Sequence, residues 1–322
     1  MTRILTFVCA AVLLALGPAR AQDLPQLRGA VLKIGTVNWE LQTITENGFD
    51  KAQGFELVVQ PHADNGATRV ALEGGEADFA VADWIWAARQ RAAGKDYVFI
   101  PYSRAVGGLV VPDDRPAQTL ADLAGAKIGI AGGPLDKSWL ILQAYARQEL
   151  DMDLAGSTEQ VFGAPPLIFK SGLSGELGGA INFWHFLAKM KAAGMRELIS
   201  VAEASQALGL NPDTPLLGYV LKESFIAENP GIAKALYGAS RDAKALLQTD
   251  DAAWDAIRPI MNAKTDAQFE ALRDGFRAGI PDAGPVNEAD AAKLLELMAE
   301  LGGEKLVGGA TTLPAGLFAT TE

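Results

Sequence analysis

The stretch Leu72-Glu73-Gly74-Gly75-Glu76-Ala77-Asp78-Phe79-Ala80-Val81-Ala82-Asp83 is helix end, turn, strand and helix start in one line. Gly74-Gly75 stops a helix that opens near Asn65-Gly66, with Asn65 as its expected cap. Residues 77–82 are apolar except for Asp78 and read as a strand. Asp83 then opens a helix carrying Trp84, Trp86 and Ala88. Upstream, 30–37 reads as a strand with one charge, Lys33. A helix over 41–52 is ended by Gly54, and a strand over 55–60 is closed by Pro61. Downstream, 97–102 is another strand. Strands alternating with helices imply a mostly parallel sheet covered on both faces. Ligands of such sheets gather beyond the carboxyl ends of the strands. Asn38-Trp39, residues 62–66 and Asp83-Trp84 all fall at those ends.

A second unit with the same grammar begins near Val110. Its expected strands are 127–131, 160–162, 178–181 and 197–201. Its expected helices are 136–150, 167–174 and 183–193, and Gly132-Gly133-Pro134 is a tight turn. Pro212 and Pro215 punctuate the chain before a strand over 216–221. From Ser224 onward the chain reads as mainly helical, with amphipathic pieces at 232–247, 254–261, 269–276 and 290–301. The tail from Gly308 reads as loop.

The chain has 322 residues, enough for two cores. Lys plus Arg is 28 against 39 for Asp plus Glu, so a general nucleic-acid or anionic-membrane binder is not expected. Two histidines, His62 and His185, and one cysteine, Cys9, cannot build a Cys/His zinc site or a disulfide framework. Arg3, an apolar run over 4–16, Gly17-Pro18 and Ala19-Arg20-Ala21 read as a signal peptide, residues 1–21, cleaved before Gln22. Removing it takes away Arg3 and Arg20 and no acid, so 26 basic residues face 39 acidic ones, a net charge of −13. An acidic, exported chain without cysteine suits a bacterial periplasm.

Three stretches together carry a resemblance: the one quoted above; Leu120-Ala121-Asp122-Leu123-Ala124-Gly125-Ala126-Lys127-Ile128-Gly129-Ile130; and Gly218-Tyr219-Val220-Leu221 through Phe225 and Asn229-Pro230. By their order and spacing the chain resembles the periplasmic solute-binding proteins of ABC importers. The group is the one with nitrate, taurine, alkanesulfonate and thiamine-precursor binders. The resemblance implies an α/β, two-lobed periplasmic-binding-protein fold with a mostly parallel sheet in each lobe and a two-strand hinge. Lobe one would comprise 27–106 plus 218–322 and lobe two 107–217, with hinge strands near 103–108 and 216–218. It further implies a monomer that closes on a small-molecule solute and delivers it to an ABC permease with its cytoplasmic ATPase, making and breaking no bond.

Candidate ligand contacts follow from the loops that would face the cleft. Trp39, Trp84, Trp86, Tyr102, Trp139 and Trp184 either stack on a ligand or fill the core. Trp84 and Trp86 are two apart and cannot point the same way on a helix. Gly133 and Lys137 flank a turn and helix start suited to an anion, although Lys137 is equally at home on the surface. Asn182 is the preferred polar contact beside Trp184, and Asn38 lies beside Trp39. The expected ligand set is therefore Asn38, Trp39, Asp83, Trp84, Gly133, Lys137, Trp139, Asn182 and Trp184, with no catalytic residue, metal or cofactor. Ser138 lacks a nucleophile elbow and a placed base. Glu40, Glu46, Asp64, Asp78, Asp83 and Asp136 would favour an amine-bearing ligand if they converged, whereas Asp64 and Asp83 also suit helix caps. The same carboxylates leave open a periplasmic accessory protein that binds a metal or a partner. A looser resemblance to importer components linked to methanol oxidation and lanthanide use points that way. A pyrimidine-synthesis-like enzyme is the remaining alternative, opposed by the export signal.

Overall fold

The computed structural model describes residues 24–321. The expected signal peptide, with Cys9, lies outside the described residues. Lobe one opens with β1 (Gln26–Leu32), β2 (Glu56–His62), β3 (Phe79–Asp83) and β4 (Tyr97–Ser103). The chain then crosses to β5 (Gly108–Pro112), β6 (Lys127–Ala131), β7 (Glu159–Gly163), β8 (Gly179–Asn182) and β9 (Met195–Ser200), and returns as β10 (Leu217–Lys222). These form two five-stranded sheets, ordered β2-β1-β3-β10-β4 and β7-β6-β8-β5-β9.

Both sheets are mixed, which corrects the mostly parallel expectation. β10 runs antiparallel to β3 and β4, and β5 runs antiparallel to β8 and β9. The cause is the crossing itself. β5 and β10 are the first strands after each passage between lobes, so they begin at the cleft where the other strands end. The passages run through 104–107 and, after helix Val201–Ala207, through 208–216.

Local boundaries shift for identifiable reasons. The strand expected over 30–37 stops at Leu32, because the Gly35 N–H turns back to the Leu32 carbonyl at 2.8 Å. A helix then starts at Val37 and runs to Glu46; the piece expected to continue it is separate, Phe49–Ala52, entered through Gly48 at φ 68°. Asp64, not Asn65, caps helix Asn65–Gly74, accepting from the Ala67 N–H at 2.9 Å. The tail is loop as expected, but it is anchored. The Phe99 N–H donates to Leu317 O at 2.7 Å and the Ala319 N–H to Phe99 O at 2.9 Å, so the tail pairs with β4.

Lobe one is assembled from two chain segments, and its core joins them. Gly29 lets β1 approach the Phe79 ring, where an added Cβ would lie 2.1 Å from Cζ. Helix Val37–Glu46 packs on helix Ile232–Thr249. Between them sits a fully buried ion pair, Lys244 Nζ to Glu40 Oε2 at 2.5 Å. Tyr219 and Ser240 hydroxyls each donate to Glu40 Oε1 at 2.6 Å. Lys244 also stands 4.8 Å from the centre of the Tyr102 ring. Burial pushes the Lys244 ammonium below its ordinary pKa, opposed by the Glu40 charge. Satisfying both ions with hydroxyls is what makes such a pair tolerable away from water.

Lys244→Met leaves the Glu40 carboxylate buried and alone. It should lower the unfolding free energy by about 3–5 kcal/mol, read from urea midpoints. Combining it with Glu40→Gln should recover part of that loss. A Lys244→Met protein as stable as the parent would remove the pair from this role.

Candidate functional site

The strand ends of the two sheets face one another across a cavity of about 380 Å³. Its lobe-one wall comes from the loop after β1 (Leu32, Gly35, Thr36, Val37), the helix after β2 (Asn65, Arg69) and the end of β3 (Val81, Ala82, Asp83). Lobe two contributes Gly132, Leu135, Asp136, Lys137 and Ser138 after β6, and Phe183, Trp184 and His185 after β8. Tyr102 and the crossing residues Ala105 to Gly107, Leu216 and Leu217 close the back.

Of the nine expected contacts, Asp83, Lys137 and Trp184 line this cavity. The other six stand behind it. Trp39, Trp84 and Trp139 are core residues, 4%, 0% and 3% exposed. Each sits one or two helix positions past a residue at the cleft, and that rotation turns the indole inward. Asn38 Nδ2 donates to the carbonyls of Leu32 (3.0 Å) and Gly35 (2.7 Å), which closes the loop after β1. Asn182 is buried; it donates to Pro165 O at 3.0 Å and accepts from the Phe183 N–H at 2.8 Å. Gly133 makes the turn at φ 95°, while its neighbour Gly132 meets the cavity.

The carboxylates do not converge. Glu40 belongs to the core pair, Asp78 binds Arg28 at 2.6 Å, and Asp64 caps its helix. Among the described residues no group of three or more His, Cys, Asp or Glu is placed to share a metal ion. Only Asp83 and Asp136 of the candidates reach the cleft. Both cap helices, accepting from the Trp86 and Trp139 N–H groups at 2.9 and 3.0 Å.

Asp83 also reaches across the cleft. Its Oδ2 lies 3.1 Å from Lys137 Nζ, an ion pair between lobes. Burial alone would raise the Asp83 pKa, but Lys137, the Trp86 N–H and Arg69 outweigh it and hold the carboxyl below its ordinary value. Asp136 goes the other way: burial raises it, only partly countered by the Trp139 N–H and Lys137. Burial pushes the His185 imidazole down to about 3, with Lys189 adding to the effect, so it is neutral near neutral pH. Ser138 Oγ bonds to no histidine or carboxylate among the described residues, so no nucleophile and base are paired here.

Arg69 escaped notice in the sequence. Its guanidinium sits over the Trp86 ring at 4.8 Å and has no carboxylate partner among the described residues. The available signal was its spacing of four from Asn65, which puts both on one helix face. Two helix starts at the cavity, behind Thr36 and Phe183, carry no side-chain cap. They belong to opposite lobes; behind Thr36 the Asn38 and Trp39 N–H groups already donate to Gly35 O (3.2 Å) and Thr36 O (3.1 Å), whereas behind Phe183 the Trp184 and His185 N–H groups have no backbone acceptor among the described residues.

Asp83→Asn keeps an oxygen for the Trp86 N–H and loses the charge for Lys137; Asp83→Ala loses both. Asp83→Ala should be the less stable by about 1 kcal/mol in chemical unfolding. Because the folded pKa of Asp83 is depressed, its contribution is present above the ordinary value of 3.8 and fades as pH falls through the lower folded value. Asp83→Asn should therefore flatten the acid side of the stability profile, a loss that protonation of Asp136 opposes in both proteins. An unchanged acid side would remove Asp83 from this role.

The sequence profile described as NMT1/THI5 like matches residues 43–252. None of the curated proteins matches the chain in sequence. Among solved structures, a protein from Bordetella bronchiseptica RB50 is 21% identical over 93% of this chain and 96% of its own, with a TM-score of 0.71. The periplasmic aliphatic sulphonate binding protein SsuA from Escherichia coli is 16% identical over 91% and 98%, TM-score 0.70. The alkanesulfonate-binding protein SsuA from Xanthomonas axonopodis pv. citri, solved with MOPS bound, is 15% identical over 93% and 99%, TM-score 0.68. These likenesses establish the two-lobed periplasmic-binding-protein fold. With the profile covering most of its length, the chain belongs to the NMT1/THI5-like family.

Proposed function

We propose that this chain is the non-catalytic, periplasmic solute-binding component of an ABC importer. It takes up a small organic solute between its lobes and presents it to a permease driven by a cytoplasmic ATPase. The bodies that move are 27–106 plus 218–322 and 107–217, released from a signal peptide of 21 residues. The observation that carries this reading is the cavity between the sheets, walled from both lobes and spanned by the Asp83–Lys137 pair. Solute proteins of related fold, named above, support it.

The lining favours an organic anion with an apolar body. Arg69 offers a guanidinium without a carboxylate partner among the described residues, and Lys137 a second cation whose partner Asp83 a solute can replace. The uncapped helix start behind Phe183 adds the Trp184 and His185 N–H groups from lobe two. Val37, Tyr102, Leu135, Phe183, Trp184 and Leu217 supply apolar wall. Asn38, Trp39, Trp84, Gly133, Trp139 and Asn182 act one layer back, holding the loops that carry these groups.

The test is a thermal-shift and calorimetry panel on residues 22–322, unfolded, stripped and refolded. Sulfonates including MOPS, nitrate, amines, pyrimidines, aromatic carboxylates, calcium and lanthanide ions belong in it. An organic anion should raise the melting temperature, equivalent to about 2.7 kcal/mol at a hundredfold excess over Kd. Arg69→Ala should abolish that rise and leave the solute-free melting temperature nearly unchanged. Stabilisation by metal ions alone would overturn the anion reading and restore the metal-binding accessory one.

A further inference from the structure

Beyond the cavity, the lobes touch through side chains that need no solute between them. Helix Asp266–Ala278, part of lobe one by its chain position, lies along helix Trp184–Ala192 of lobe two. The Trp184 indole enters the lobe-one aromatic group and meets Trp39 edge-on, 5.9 Å between centroids. Trp39 packs in turn on Trp254 at 6.2 Å and Phe276 at 6.0 Å. Gly275 makes the room: an added Cβ would lie 2.8 Å from the Trp184 ring. Ala188, one turn on, packs against the same lobe-one core. Lys189 Nζ then donates to Asn262 O at 2.9 Å.

The far side of the molecule is also bridged. Helix Glu288–Val307 packs on helix Trp84–Ala92 of lobe one and on helix Lys137–Leu150 of lobe two. One apolar cluster runs through all three, from Trp84 to Met298 to Ile141. The crossings themselves are tied: Arg104 pairs with Asp213 of the other crossing, and its N–H donates to Gly279 O at 2.9 Å, where helix Asp266–Ala278 ends. Opening the cleft would draw Trp184 and Ala188 out of an apolar site into water and leave the Gly275 groove unfilled.

We propose that the lobes rest closed in the solute-free protein, latched by Trp184 in the lobe-one aromatic group. Solute then enters through an infrequent opening instead of drawing two open lobes together. This rests on the solute-binding reading for its consequence alone: solute enters only through the open fraction, so its association rate falls in proportion to that fraction and loosening the latch speeds entry. The closed state itself is measurable without solute.

Residues 22–322 contain no cysteine, so a pair of spin labels can be placed cleanly. Ile34, in the loop after β1, and Leu167, in the helix after β7, are exposed and follow strand ends of opposite lobes. Both lie away from the edge strands β4 and β9, from which the chain crosses. Double electron–electron resonance on Ile34→Cys/Leu167→Cys, stripped and refolded in buffer without solute, should give one short distance. Adding Trp184→Ala should enlarge the long-distance population about tenfold. If that variant does not fold, Trp184→Phe should shift the distribution the same way by less.

A long distance in the protein with Trp184 intact, shortening when MOPS is added, would overturn the latch while upholding solute binding. A distribution indifferent to the residue at 184 would also overturn it. A short distance that grows with Trp184→Ala, in a protein that no tested solute stabilises, would support the latch and count against the solute reading.

Discussion

Glu40 and Lys244 are separated by the whole of the second sheet in sequence, yet they form one ion pair in the centre of lobe one. Lobe one exists only if the two ends of the chain come together, and this pair stands where they meet. Its charges are costly to bury, and Tyr219 and Ser240 offset that by saturating Glu40 Oε1. The arrangement also reaches the site. Lys244 stands over Tyr102, a residue lining the cavity, and Glu40 lies on the helix whose start forms one wall. The pair that joins the segments thus also backs one wall of the cavity.

The cleft follows from strand direction. β1, β2, β3 and β4 end there, as do β6, β7, β8 and β9, so the helices that follow present their starts to it. Asp64, Asp83 and Asp136 cap three of those starts with carboxylates. The starts behind Thr36 and Phe183 have no such cap; at the first, the Asn38 and Trp39 N–H groups are taken up by Gly35 O and Thr36 O, so the open pair is that of Trp184 and His185 behind Phe183. The cations beside them stand among acids: Lys137 pairs with Asp83, and Arg69 helps hold the Asp83 carboxyl below its ordinary pKa.

Trp184 shows why binding and closure cannot be treated apart. Its side chain lines the cavity and its indole packs in a T-shaped pair with Trp39 of the lobe-one aromatic group. A residue shared between a site and an interlobe contact reports the state of each to the other. The Asp83–Lys137 pair is the polar counterpart, spanning the same gap where a charged solute can compete for either partner.

By itself the sequence determined the alternation of strands and helices, the turns at Gly74-Gly75 and Gly132-Gly133, and the cap at Asp83, while it left Asp64 and Asn65 competing for one cap and gave no sign that Asp136 is another. These depend on neighbours within a few residues: backbone conformations open to glycine, and short side chains that reach the next turn. Asp83, Lys137 and Trp184 were legible as cleft residues because they stand at strand ends. The facing of Trp39, Trp84 and Trp139 was not, since a tryptophan near a helix start serves a core as readily as a ligand, and a rotation of one position separates the two. Tertiary structure alone decided that Glu40 meets Lys244, that Arg69 lies over Trp86, and that β5 and β10 run against their neighbours. Those outcomes depend on segments distant in the chain arriving at one place, and no local periodicity encodes such a meeting.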